Sequence, residues 1–214
     1  MNKREFFSAI RNSLFGGRLN QAQVDGIEAI LDEGRGLPLA HMAYCLATAH
    51  GETGASFVPI QENMNYSAGR IPQVFSARRL KGKTPQELAG NPRLLANTVY
   101  GGMLGNDGPN DGWTYRGHGL VQLTGKDNFR RFGDLIGVDL VAEPLRALEL
   151  PIAAKALIVG VRDGLYTGKK ASDYLDSDPP DYVRARRIIN GNFAAAKYAM
   201  YAREYDAALR QGGW

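Results

Sequence analysis

A mainly α-helical domain with minimal strand content is what this 214-residue sequence predicts, on three observations. Apolar residues recur at three- and four-residue steps, recognisable start and stop signals bracket those runs, and alternating strand patterns are scarce. Residues 3–14 place Phe6, Phe7, Ile10 and Leu14 at helical spacing. The next helix starts at Asn20 as N-cap with Gln23 three residues on, a capping-box pattern, and Leu19 faces Val24 as a hydrophobic staple. Ile27, Ile30 and Leu31 continue its apolar face, and Gly34 ends it. Pro38 is expected in the first turn of the third helix, where its missing N–H costs nothing. Leu39, Met42, Ala43, Leu46 and Ala49 or His50 then line one face, up to an expected stop at Gly51.

Further along, Thr84-Pro85-Gln86-Glu87 is a second capping box with proline at the first helical position. Asn91-Pro92 opens a helix that Gly101-Gly102 closes. Residues 101–119 are rich in glycine and carry Asn106, Asp107, Pro109, Asn110 and Asp111, the composition of a long ordered loop. Loops of that length inside a compact domain are usually functional. Helical patterns resume at about 125–136, 150–164, 180–189 and 193–210. With no internal repeat and no linker, residues 1–214 read as one domain, with room for a smaller lobe within about 70–110.

Bulk properties exclude several classes. No apolar run approaches the roughly 18 residues of a membrane span. After Met1-Asn2-Lys3-Arg4-Glu5 the run Phe6-Phe7-Ser8-Ala9-Ile10 stops short of a signal-peptide core of about 7–15 residues. The expectation is accumulation in the cytoplasm until something releases the protein. A single cysteine, Cys45, allows no internal disulfide and reads as a small buried hydrophobe rather than a nucleophile. Net charge is +4 with a pI near 9.2, which suits attraction to nucleic acid, anionic lipid or a phosphate- and carboxylate-rich cell wall. His41 and His50 lie about 180° apart on one predicted helix and His118 is alone in its loop. They do not form a zinc-ligand set, so no metal and no cofactor is expected.

Three segments carry candidate chemistry. In His50-Gly51-Glu52-Thr53-Gly54, Glu52 falls at the C-terminal end of the third helix. The negative end of the helix dipole disfavours a carboxylate there, the bias a general acid needs. An arbitrary glutamate is far more often a solvated surface residue. Ten positions on, Glu62 lies in the polar run Pro59-Ile60-Gln61-Glu62-Asn63-Met64-Asn65-Tyr66-Ser67, a loop or turn that lets two carboxylates face one cleft. Glycoside hydrolysis requires such a pair, although most pairs at this spacing are accidental. The third segment runs from Gly112 to Asn128. Leu120-Val121 is expected as a short buried strand from which Gln122 and Thr124 project the same way, with Asn128 one turn into the next helix. Amides and a hydroxyl converging on a groove suit sugar hydroxyls or a water held for attack, while Thr124 also suits a helix N-cap. Tyr66, Tyr115, Arg116 and Trp113 are candidate stacking platforms or donors, with core packing an equal alternative for Trp113 and Tyr115.

Taken in order, Glu52-Thr53-Gly54, Glu62-Asn63-Met64-Asn65-Tyr66-Ser67, Tyr115-Arg116-Gly117-His118-Gly119-Leu120-Val121-Gln122-Leu123-Thr124-Gly125 and Ile188-Ile189-Asn190-Gly191 resemble glycoside hydrolase family 19. That family holds chitinases and many phage endolysins. The resemblance runs from about residue 40 to the C-terminus. It implies a lysozyme-like helical fold with a deep cleft, Glu52 as general acid, Glu62 as general base for an inverting attack by water, and Thr124 helping to hold that water. Gln122, Asn128 and Asn190 stand at positions that bind the sugar chain. His118 replaces a commoner arginine, and the disulfides of plant chitinases are impossible here. The short spacing of the glutamates and the Asn-Met-Asn-Tyr-Ser run resemble the endolysin branch, which implies peptidoglycan glycan as partner, with chitin as the alternative. No nucleic acid, no stable membrane insertion, a monomer, and a membrane-lesion-forming partner for release complete the expectation.

Two rivals fit less well. Small phage lysozymes of the retaining kind place Asp or Cys nine positions after the acid, and position 61 is Gln. Arg78-Arg79-Leu80-Lys81-Gly82-Lys83 gives a nucleic-acid-binding module its best support, but it lacks interleaved aromatics, and Ala77 stands where a phosphate loop needs glycine.

Overall fold

The structure is a computed structural model that describes residues 1–214. Its elements run α1 (Lys3–Leu14), α2 (Gln21–Glu33), α3 (Leu39–Glu52), β1 (Ile60–Gln61), α4 (Ile71–Val74), α5 (Pro85–Leu88), α6 (Pro92–Tyr100), α7 (Asp111–Thr114), β2 (His118–Gly119), α8 (Lys126–Ile136), α9 (Leu150–Asp163), α10 (Ser172–Leu175), α11 (Tyr182–Ala185), α12 (Arg187–Asn190) and α13 (Ala195–Gly212). The chain is mainly helical, with one antiparallel pair of two-residue strands that sets Ile60 opposite Gly119 and Gln61 opposite His118. It forms two compact units, one of Met1–Val58 with Leu150–Trp214 and one of Pro59–Glu149.

In the first unit α3 is the centre. Every residue from His41 to His50 is buried, so α3 buries all its faces rather than the single face its spacing predicts. A helix hydrophobic all round belongs inside a bundle, and here α13, α9 and α2 pack around it, with α1 laid against α13. Two details of α3 depart from expectation. Pro38 is the N-cap, one position earlier than predicted, and Gly51 does not stop the helix, which runs on to Glu52. Gly51 has a different reason to be glycine: a Cβ there would lie 2.3 Å from the Tyr198 ring of α13. Cys45 is fully buried and free, and burial pushes its thiol up to about 12, so it is inert. The Asn20–Gln23 capping box forms as expected, with Asn20 Oδ1 accepting from the Gln23 N–H at 2.9 Å.

In the second unit Met64, Ile71, Phe75, Leu80, Leu88, Leu95, Ala96 and Val99 form one core cluster. The Thr84 capping box and the Asn91 cap start α5 and α6 where expected, and Gly101 caps the end of α6. The glycine-rich segment after it contains one helical turn, α7, and the strand β2. The expected strand at Leu120-Val121 is a turn: the chain reverses there, so that His118 and Leu123 bridge in antiparallel fashion. Gly119, at φ 95°, supplies the left-handed residue this reversal needs. Leu120 and Val121 are buried all the same, so their hydrophobicity marks burial rather than extension.

Candidate active site

Glu52 is the last residue of α3, half-buried, with its partners drawn from far along the chain. Arg186 Nη1 lies 2.7 Å from Glu52 Oε1, and the Tyr198 hydroxyl donates to the same oxygen at 2.9 Å. Arg186 is 1% exposed, and its guanidinium stacks on the Tyr198 ring at 3.8 Å from the centroid. The Arg186 contact is ionic, since Nη1 makes no well-directed hydrogen bond. Burial, and next the charge of Glu52, raise the Tyr198 phenol well above its ordinary pKa, so it stays a donor. The negative end of the α3 dipole points at Glu52. The structure sets a buried cation beside it, and the sequence alone singles out neither Arg186 nor Tyr198. The signal available was Arg186 itself, an arginine just before the Ile188-Ile189-Asn190-Gly191 motif.

Glu62 follows β1 and is also half-buried. The Tyr100 hydroxyl donates to both carboxylate oxygens at 2.8 and 3.0 Å, and the Gly117 N–H donates to Oε2 at 3.2 Å. The backbone is pinned as well: the Glu62 N–H donates to the Gly117 carbonyl at 2.7 Å, and Arg116 Nε donates to the Glu62 carbonyl at 3.2 Å. Burial first, then the Glu62 charge, raise the Tyr100 phenol far above its ordinary pKa and keep its proton on it. Tyr100 was also missed, because nothing in α6 marks it locally as different from a core tyrosine.

The remaining candidates divide. Thr124 Oγ1 donates to the Gln122 carbonyl at 2.9 Å, Asn128 Nδ2 donates to the Thr124 carbonyl at 2.7 Å, and Gln122 Nε2 donates to the Ile60 carbonyl at 3.3 Å. These three therefore cluster beside β1, held by backbone carbonyls. Gln122 and Thr124 do not project from an extended strand, because Gln122 belongs to the turn, and the N-cap of α8 is Gly125 rather than Thr124. Asn190 ends α12 and is exposed. Tyr66 is half-buried against Phe75. Tyr115 and Arg116 are each 6% exposed, which for Tyr115 fits the core-packing alternative. Tyr115 donates to the Val141 carbonyl at 3.0 Å and packs edge-on to Phe129. Arg116 donates to the Trp113 carbonyl at 2.6 Å and stacks on the indole at 3.5 Å.

The histidines are placed as structural groups. His118 Nδ1 donates to the Arg116 carbonyl at 2.6 Å, so its Nε2 accepts from Gln61 Nε2 at 2.7 Å and the ring is neutral. Burial is the largest cause pushing His118 down to about 4. His50 pairs with the Tyr205 hydroxyl at 2.9 Å among aromatic rings, and burial, then Lys197, push it down to about 4 as well. His41 meets Asp176 at 2.6 Å. No group of three or more His, Cys, Asp or Glu side chains is arranged to hold a metal ion.

These features define a class: a mainly helical, lysozyme-like protein of the family 19 chitinase fold. Chitinase C from Streptomyces griseus superposes with a TM-score of 0.55 at 18% identity, over 98% of this chain and 75% of that one. A mutant of chitinase C gives 0.51 at 16% identity over the same shares. No protein-family model matches the chain. A curated protein of Haemophilus influenzae, named a glycosyl hydrolase family 19 domain-containing protein, is 36% identical over 110 residues, 50% of this chain and 54% of that protein. The chain thus spans about half the length of that relative, which it resembles in sequence over that stretch, and it shares its fold with the chitinases.

Proposed function

We propose that the protein is a glycoside hydrolase that cleaves the β-1,4 bond of an amino-sugar polymer, with peptidoglycan glycan as substrate and Glu52 and Glu62 as its two catalytic carboxyls. The observation that carries the reading is that both glutamates of the motif order are half-buried and held by dedicated donors, where unemployed surface glutamates would be solvated. Protonated Glu52 donates to the glycosidic oxygen. Both of its contacts fall on Oε1, so Oε2 is the oxygen assigned the proton. As the proton leaves, Arg186 stabilises the carboxylate that appears, an electrostatic term already in place before the bond breaks.

Glu62 takes the proton of the attacking water. Tyr100 and the Gly117 N–H donate to its oxygens and fix the carboxylate in place. Thr124 has committed its proton to the Gln122 carbonyl. It offers the water a lone pair, accepting one water hydrogen while Glu62 accepts the other. Single displacement with inversion requires the two carboxyls about 6.5–9.5 Å apart in the substrate complex, room for that water. Gln122, Asn128 and Asn190 are assigned to the sugar chain.

Chitin is the second reading, supported by the chitinases that share the fold. The net charge of +4 favours peptidoglycan, whose stem peptides carry carboxylates, over the neutral chitin chain. Action as a monomeric endolysin released from the cytoplasm by a membrane-lesion-forming partner is part of the proposal. No helix is long and apolar enough to cross a membrane. The test is a digest of purified peptidoglycan by wild type and Glu52→Gln, with new reducing ends reduced and identified by mass spectrometry. N-acetylmuramic acid ends made only by wild type establish a muramidase, and N-acetylglucosamine ends reverse the bond. No new sugar ends from a folded enzyme reject peptidoglycan and move the assay to chitin.

A further inference from the structure

The turn between α12 and α13 holds the most exposed large hydrophobic of the chain, Phe193, at 73%. A ring left in water is unfavourable, yet this turn is built with care. Phe193 N–H donates to the Asn190 carbonyl at 3.3 Å, and Arg187 Nε donates to Asn192 Oδ1 at 3.1 Å. Thr167 Oγ1 lies 2.7 and 3.0 Å from the Arg187 and Ile188 carbonyls just before the turn. Ala194 is held at φ 55°, which a residue with a Cβ adopts only where its surroundings impose it. The turn is therefore a rigid mount.

What fixes the mount is the group that fixes the acid. Arg186 Nε donates to the Phe193 carbonyl at 3.1 Å, while Nη1 of the same guanidinium lies 2.7 Å from Glu52 Oε1. One buried cation thus ties the backbone of Phe193 to the Glu52 carboxylate. Asn190 and Asn192, both exposed, precede the ring in the same turn. An aromatic face edged by amides matches a pyranose ring, which has an apolar C–H face and a rim of hydroxyl and acetamido groups. It does not match an acyl chain, which has no use for the amides. It does not match a phosphate either, because Arg186 and Arg187 are already engaged.

We propose that Phe193 is a substrate-contacting residue whose ring stacks on a sugar of the glycan close to the bond that Glu52 protonates, with Asn190 and Asn192 binding that sugar's polar rim. The inference rests on the glycosidase reading and adds to it a binding determinant outside the four motifs. Because Arg186 holds the backbone carbonyl and not the ring, replacing the side chain removes the platform and leaves the mount.

Steady-state kinetics on soluble peptidoglycan glycan strands and on chitohexaose, with wild type, Phe193→Ala and Phe193→Trp, provide the test. Phe193→Ala raises KM roughly five- to tenfold, as loss of one aromatic stack should, with kcat within about twofold and an unchanged melting temperature. Phe193→Trp restores KM. An unchanged KM in Phe193→Ala overturns the proposal while wild-type turnover leaves the glycosidase reading standing. A raised KM that Phe193→Trp does not restore overturns stacking as the cause. Wild type without turnover on either glycan brings down the glycosidase reading and this inference together.

Discussion

Glu52 and Glu62 are held in contrasting ways. Glu52 closes a helix buried on every side and takes its contacts from Arg186 and Tyr198, more than 130 positions along the chain. Glu62 hangs from a loop after β1 and takes its contacts from Tyr100 and the Gly117 N–H, all neutral donors. The difference is one of energy as well as distance. Breaking a buried ion pair by removing one partner costs about 3–5 kcal/mol, whereas a neutral hydrogen bond contributes about 0.5–1.5 kcal/mol. The surroundings of Glu52 are thus continuous with the core of their unit, and those of Glu62 are a local device.

The largest expected effect separates the two by stability. Glu52→Gln and Glu62→Gln should each lower kcat by about 10²–10⁴-fold, since each removes a proton-transfer group without changing shape. Glu52→Gln also leaves the buried Arg186 opposite a neutral amide, so its melting temperature should fall by several degrees while that of Glu62→Gln stays close to wild type. Calorimetry on the pair checks this, and equal losses would erase the contrast.

Two glycines sharpen it. Gly51→Ala drives a Cβ to 2.3 Å from the Tyr198 ring, a rigid group that must shift as a whole. It should destabilise the unit by about 1–3 kcal/mol and lower kcat as the Tyr198 hydroxyl leaves Glu52. In Gly117→Ala the Cβ meets Gln122 Oε1 at 2.4 Å, the far end of a flexible side chain. That end can swing away, so stability should change by less than about 1 kcal/mol. Chemical denaturation of both variants decides, and a cost at Gly117 as large as at Gly51 would show the Glu62 loop to be as rigid as the core.

Smaller again is Tyr100→Phe. It deletes the donor to both Glu62 oxygens and little else. We expect about 1 kcal/mol of stability to be lost and kcat to fall by about tenfold, with KM unchanged because Tyr100 faces the carboxylate rather than solvent. A rise in KM instead would assign Tyr100 to substrate binding.

How much of this was legible in the sequence follows the same divide. Helix starts are local chemistry, so the caps at Asn20, Thr84 and Asn91 were readable and correct. Glu52 at a helix end and Glu62 in a loop were readable for the same reason. Gly51 was misread as a stop because its cause is the Tyr198 ring across the interhelical contact, and a glycine needed for close approach looks like one needed for a turn. Leu120-Val121 was misread as a strand because a buried turn and a buried strand share composition. Tyr115 and Arg116 sat inside the most informative motif and still proved to be core, whereas Arg186, Tyr198 and Tyr100 lay outside every motif and hold the carboxylates. The family resemblance supplied the pairing of the glutamates, which periodicity and spacing alone did not.

The effect felt only in acid is a pH dependence shared by both units. His50 and His118 each titrate near 4 in the folded chain because burial penalises the imidazolium, against an ordinary value near 6.5. In the unfolded chain both bind protons at about 6.5, so between pH 6.5 and 4 the unfolded state carries more protons and stability falls as pH falls. Above 6.5 both states are neutral at these sites and the dependence vanishes. His118 is joined through Gln61 to the strand pair that leads into Glu62, while His50 sits one turn or less from Glu52 in the buried helix. His50→Phe keeps the aromatic packing around Phe15, Phe57 and Tyr201 and should flatten the fall in melting temperature between pH 6.5 and 4. His118→Gln should flatten it too. If His50→Phe alone removes the whole dependence, acid sensitivity resides in the unit that holds Glu52; if neither variant changes the slope, carboxylate protonation governs acid unfolding and the two histidines serve packing alone.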